Sequence, residues 1–246
     1  MTTDDTTPTT GSTRSIEARL ARAGLPPLPR QAWLEVDLDV LAANAHLLRS
    51  LLPNETLLGL VVKADGYGHG LEAAARAAVA GGADVLLVAT LDEALILRAA
   101  GRAERILVLY PVPEDAIGTA ADAGVEVVAA DEASVEALEG WLRDGGATTR
   151  RSGPAGRGGS DPSPASPTLR VHLGIDSGMG RGGFPVDAAP SVARRLLEAG
   201  LPGLAGTWSH LASPEDPAPT AAQVARFEAA LAGLAAAGVG PGLRHL

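Results

Sequence analysis

The feature that most constrains the fold of this chain is a repeating alternation. Short runs dense in Val, Leu and Ile recur along it, with Ala-rich stretches of helical character between them. The runs are AWLEVDL at 32–38, LLGLVV at 57–62, DVLLVA at 84–89, RILVLY at 105–110, VEVVAA at 125–130, LRVHLGI at 169–175 and GLAGTWSH at 203–210. Helical stretches fall near 39–51, 70–80, 91–100, 113–123, 131–143, 187–200 and 220–237. Asp92 and Asp131 stand where helices should begin, and Gly101, Gly124 and Gly200 where helices should stop. Runs that are apolar at nearly every position suit strands covered on both faces, as in a parallel sheet flanked by helices. The fold class is therefore α/β. Six or more similar βα units in succession favour a TIM-type (β/α) barrel, whose chemistry gathers at the C-terminal ends of the strands. Lys63 follows the 57–62 run, Arg181 lies just past 169–175 and His210 closes 203–210, so one mouth is expected to hold all three.

Two segments break the rhythm. Residues 1–13 are rich in Thr, Asp, Pro and Gly and read as a disordered tail. Residues 144–168 are Gly, Ser, Pro and Arg without periodicity and read as a disordered insertion between two βα units. A net charge of −9 and aromatics at 3% argue against nucleic-acid binding. No run reaches the roughly 18 apolar residues of a membrane span, and the polar start lacks the apolar core of a secretory signal. Cysteine is absent, which removes disulfides, thiolate metal sites and cysteine nucleophiles. The expected compartment is the cytoplasm.

One residue type is nearly missing. Of 20 basic residues, 19 are Arg and only Lys63 is Lys. Arginine fills the surface role elsewhere, so this position calls for something a guanidinium lacks. A partly buried amine can lose its proton and become a nucleophile, and only lysine can form an imine with a carbonyl. The surrounding KADGYGHG is not a phosphate-binding P-loop, where the lysine comes after the glycines. Gly66, Gly68 and Gly70 permit positive φ and close approach of backbone to a ligand. Tyr67 could reach a phosphate; His69 could touch a ligand or, the favoured reading, cap the next helix. In HLGIDSGMGRGGF at 172–184, Gly178, Gly180 and Gly183 match G-x-G-x-x-G, but Phe184-Pro185 interrupts before any helix. A mobile loop presenting Arg181 suits a forked hydrogen bond to an oxyanion instead. Five histidines without H-E-x-x-H spacing make a metal site unexpected.

These stretches reach a family. VVKADGYGHG resembles the signature of the alanine racemases, and the similarity continues in order through AWLEVDLDVLAANAHLL, VHLGIDSGMGRGGF and GTWSHLASPED, covering about 31–246. The resemblance implies a pyridoxal 5'-phosphate enzyme that interconverts L- and D-alanine for peptidoglycan precursors and works as a homodimer at full length. It implies that Lys63 binds the cofactor covalently and serves as one of two bases, and that Tyr67 meets the phosphate. It further implies that Arg181 serves the phenolic oxygen and lies near the substrate, and that His210 packs on the pyridine ring. Two departures stand out. Gly174 occupies a place where the family often has a lysine that orients the loop arginine. The text also ends at GLRHL, before the family's remaining phosphate contacts, last strand and β-rich second domain with its tyrosine base. On this count AWLEVDL lies outside the barrel, 203–210 is strand six and LRHL opens strand seven, so the expectation is an incomplete barrel, inactive by itself. A broad-specificity amino-acid racemase and a single-barrel pyridoxal-phosphate homeostasis protein are the alternatives.

Overall fold

The computed structural model describes residues 16–29, 34–146 and 169–246. The tail reading at 1–13, and the insertion reading beyond Gly146, lie outside the described residues. Two compact units divide the chain at Asp37. In the first, α1 (Ile16–Arg22) is a short helix that the sequence reading missed, and its Arg19 pairs with Glu35. Residues 34–37 form no strand and Leu34 is 79% exposed. An alternating run becomes a strand only beside a partner that takes its backbone bonds, so the strand candidate AWLEVDL is corrected over these residues.

The second unit, Leu38–Leu246, opens with α2 (Leu38–Ser50), β1 (Gly59–Val61), the one-turn α3 (Lys63–Tyr67) and α4 (Leu71–Ala80). Then follow β2 (Val85–Val88), α5 (Leu91–Ala99), β3 (Arg105–Val108), α6 (Ile117–Asp122), β4 (Glu126–Ala129) and α7 (Glu132–Arg143). The last elements are β5 (Arg170–Gly174), α8 (Ala189–Glu198), β6 (Gly206–Trp208), α9 (Pro217–Ala236) and β7 (Leu243–His245). Among the described residues there are seven strands, all paired in parallel, each with its neighbour in sequence. A doubly wound sheet would reverse its order at a switch point; this order never reverses. The architecture is an incomplete TIM-type barrel, with β1 and β7 at the two ends of the sheet.

Alternation along the strands decides what each face meets. Leu86, Val88, Ile106, Val108, Val127, Ala129, Val171 and Leu173 join the helix-covered core with Ala75, Leu97, Ile117, Leu138, Leu196 and Leu234. With almost no aromatic bulk, small Ala-rich helix faces close on β-branched strands. The opposite face is partly charged. Glu126 is 2% exposed and takes a bidentate pair of bonds from Arg105, at 2.6 and 2.8 Å. His172, also 2% exposed, donates from Nε2 to Glu126 at 2.7 Å, and its Nδ1 lies 2.9 Å from His245 Nε2. Gly206 makes room for this, since a Cβ there would meet His172 Nδ1 at 2.3 Å. Burial by itself would raise the Glu126 carboxyl, but the bonds from Arg105 and His172 hold it well below the usual carboxylate range. His245 is pushed down to about 4 by burial and then by His172.

Helix boundaries agree with the sequence in part. Asp131 caps α7 by accepting from Ser134 N, and Gly101, Gly124 and Gly200 all have positive φ. Asp92 does not cap α5. Thr90 does, in a reciprocal box with Glu93, because T-x-x-E offers both an oxygen for the N3 amide and a carboxylate for the cap amide.

Candidate active site

Lys63 is half-buried and begins α3, directly after β1. That turn is left-handed. Ala64, Asp65, Gly66 and Tyr67 all have φ between 52° and 62°, a conformation costing about 1–2 kcal/mol for each residue with a Cβ. Local bonds offset the cost. Gly66 N donates to Val62 O, Gly68 N to Ala64 O and Gly70 N to Asp65 O, at 2.8–3.1 Å. Asp65 Oδ1 accepts from Leu71 N at 2.7 Å and so caps α4. His69 does not take that role; its Nδ1 donates back to Gly66 O at 2.8 Å. Ala64 N donates to Glu93 Oε1 at 2.6 Å, while Glu93 Oε2 accepts from Ala89 N and Thr90 N. The three glycines that the sequence marked for positive φ all have it.

The structure brings three of the predicted residues into one electrostatic neighbourhood. Burial lowers the pKa of His210, and the positive charges of Arg181 and Lys63 lower it further. Lys63 Nζ also stands 6.0 Å from the centre of the Tyr110 ring, within range of a weak cation–π contact. Tyr67 is 60% exposed at the end of the left-handed turn.

Arg181 is exposed, and the loop that carries it is fastened at its base. Asp176 Oδ1 accepts from Gly178 N and Gly180 N at 2.9 and 3.0 Å. Ser177 and Ser209 join their buried hydroxyls at 2.7 Å, and Arg226 of α9 donates to Ser177 O. Gly183 N bonds Ala130 O, and Phe184 N bonds Gly174 O. A side chain at Gly174 would press on Trp208 Nε1 at 3.3 Å and Ala130 Cβ at 3.2 Å. The indole crowds the place where a side chain would start, and the Asp176 carboxylate, accepting from Gly178 N and Gly180 N, holds the loop. Sequence reading missed Glu93, Asp176 and Arg226. Only Glu93 left a usable signal, the T-x-x-E box.

Residues 36–246 match the family model for the alanine racemase N-terminal domain. The chain belongs to the alanine racemase family. Curated alanine racemases from Symbiobacterium thermophilum and Thermobifida fusca are 38% and 37% identical to it, over 88% and 87% of the chain. Among solved structures, an alanine racemase from Bacillus anthracis with bound L-Ala-P superposes with a TM-score of 0.72 at 32% identity, over 89% of the chain. The alanine racemase of Streptomyces coelicolor gives 0.69 at 34% identity. The chain spans about half the length of these relatives, 52% and 53% of the two curated proteins. Among the described residues no helix is long and apolar enough to cross a membrane.

Proposed function

We propose that this alanine racemase family chain supplies the lysine side of a pyridoxal-phosphate-dependent racemase that interconverts L- and D-alanine. The observation that carries the reading is the sole lysine, fixed by a left-handed turn at the end of β1 and sharing its neighbourhood with Arg181 and His210. The donor set suits the cofactor. Lys63 offers the amine an imine needs and Arg181 a guanidinium able to meet a phenolate, while burial and then the positive charges of Arg181 and Lys63 hold the pKa of His210 below its ordinary value. Lys63 would hold the cofactor covalently, Tyr67 its phosphate, Arg181 its phenolic oxygen and His210 its ring. Once bound, the cofactor supplies an electron sink for the pair left behind when the Cα proton departs. Lys63, freed as an amine, takes or returns that proton on one face of the substrate. Family resemblance assigns the opposite face to a tyrosine of the second domain, which the matched residues 36–246 do not include. We assign the activity to peptidoglycan precursor supply in the cytoplasm, by a homodimer that includes that domain.

The test is reductive trapping. Mixed with pyridoxal phosphate and then borohydride, the protein should carry the label on the Lys63 peptide and, at most, on its N-terminal amine. Lys63→Arg should abolish the Lys63 label while keeping the charge. A label elsewhere, or an arginine variant that still forms the adduct, would refute the assignment. Comparable turnover of several amino acids would favour the broad-specificity reading. Cofactor binding without turnover, even when the second domain is supplied, would favour the homeostasis reading.

A further inference from the structure

Among the described residues, a side chain from another element, that of Glu93, hydrogen-bonds the left-handed turn after β1. Glu93 lies on α5, yet one of its oxygens reaches across to Ala64 N, the amide immediately after Lys63. Its other oxygen takes Ala89 N at 2.7 Å and Thr90 N at 3.2 Å, at the end of β2. One carboxylate thus accepts from three backbone amides and joins the ends of two adjacent strands. We propose that Glu93 is a positioning residue. By fixing the Lys63–Ala64 peptide plane, it holds the turn left-handed and aims the only lysine into the mouth. This rests on the reading of Lys63 as the cofactor lysine.

The chemistry of the contact is specific to glutamate. An ionised carboxylate offers acceptors on both oxygens, whereas glutamine would turn an N–H₂ toward at least one of these N–H donors. Aspartate keeps the charge and can still serve the cap amide within its own turn, but it is one methylene too short to span to Ala64. Thr90 supplies the other half of the box, since Glu93 N donates to Thr90 Oγ1 at 3.4 Å. Its loss weakens the helix start without removing the carboxylate. A residue that only caps α5 and a residue that aims Lys63 therefore respond differently to the same set of variants.

The experiment uses the whole chain with pyridoxal phosphate as probe, reading the rate of borohydride-trapped adduct on Lys63 together with the thermal midpoint. Glu93→Asp and Glu93→Gln should trap about tenfold more slowly than wild type, the scale expected when a charge-assisted hydrogen bond is lost. Thr90→Val should melt lower yet trap at the wild-type rate. Wild-type trapping rates in both Glu93 variants would overturn the proposal, as would losses in all three variants that simply follow their midpoints. Should wild type itself take up no cofactor, the reading of Lys63 fails separately, and acylation of the apo-protein decides the positioning claim. With an N-hydroxysuccinimide ester and the N-terminal amine as internal reference, Glu93→Gln should raise Lys63 labelling several-fold as the amine leaves its half-buried position. An unchanged or lower ratio overturns the claim.

Discussion

Gly66 and Gly68 sit two residues apart in the same left-handed turn, and only one of them is hemmed in. A Cβ on Gly66 would lie 2.7 Å from that of Ala74, and φ there is +62°; Gly68, at φ +84°, has open space around it. Both substitutions to alanine carry the backbone cost of positive φ, about 1 kcal/mol or somewhat more. Gly66→Ala adds a collision with the half-buried Ala74 of α4, which α4 can relieve only by shifting. We expect Gly66→Ala to lower the thermal midpoint by several degrees more than Gly68→Ala, and to lose cofactor trapping at Lys63 with it. Equal midpoints for the two variants would show that Ala74 yields freely and that the turn is less constrained than its geometry indicates.

Among the elements, the loop from Asp176 to Gly183 keeps its shape through the Asp176 carboxylate, the Ser177–Ser209 hydroxyl pair and Arg226, so its exposed arginine contributes little to that shape. Arg181→Ala should leave the midpoint within a few degrees, as exposed-loop changes usually do, and weaken pyridoxal phosphate binding. Removing this cation should also move His210 back toward its ordinary value, though not fully, because burial is the larger cause of its depression. The shift is readable by NMR titration of a protein with five histidines. A large stability loss with unchanged binding would assign Arg181 to structure. Legibility followed the same division between pattern and contact. The sheet strands were readable because Val, Ile and Leu runs and helix-ending glycines are local signals. That Lys63, Arg181 and His210 would share one neighbourhood was readable because each follows a strand, and a barrel gathers its strand ends at one mouth. The turn handedness was half visible: glycine spacing announced positive φ, but nothing local says that Ala64 and Asp65 share it. Glu93, Asp176 and Arg226 act on groups far along the chain or on bare amides, and such contacts leave no periodicity.

Taken as a whole, the molecule carries an acid-labile interior. His245 is held neutral, with its pKa pushed down to about 4 from 6.5. Between those values the unfolded chain binds a proton that the folded chain refuses. Unfolding free energy therefore falls as pH drops through that window, by roughly 3 kcal/mol at most. Glu126 acts in the same direction at lower pH, since its depressed carboxyl loses its bonds only on protonation. Urea midpoints should fall steadily from pH 6.5 to 4, and His245→Phe should flatten that slope; a flat wild-type profile would mean that His245 is not held neutral. The strand order bears on how this interior comes to exist. Because each strand pairs with its predecessor, the sheet can grow one unit at a time as the chain emerges, with little loop entropy to overcome at each step. The interior cannot form that way. His172 must wait for a partner 73 residues further on, so its contact with the half-buried His245 closes late, after most of the sheet around it has already been laid down.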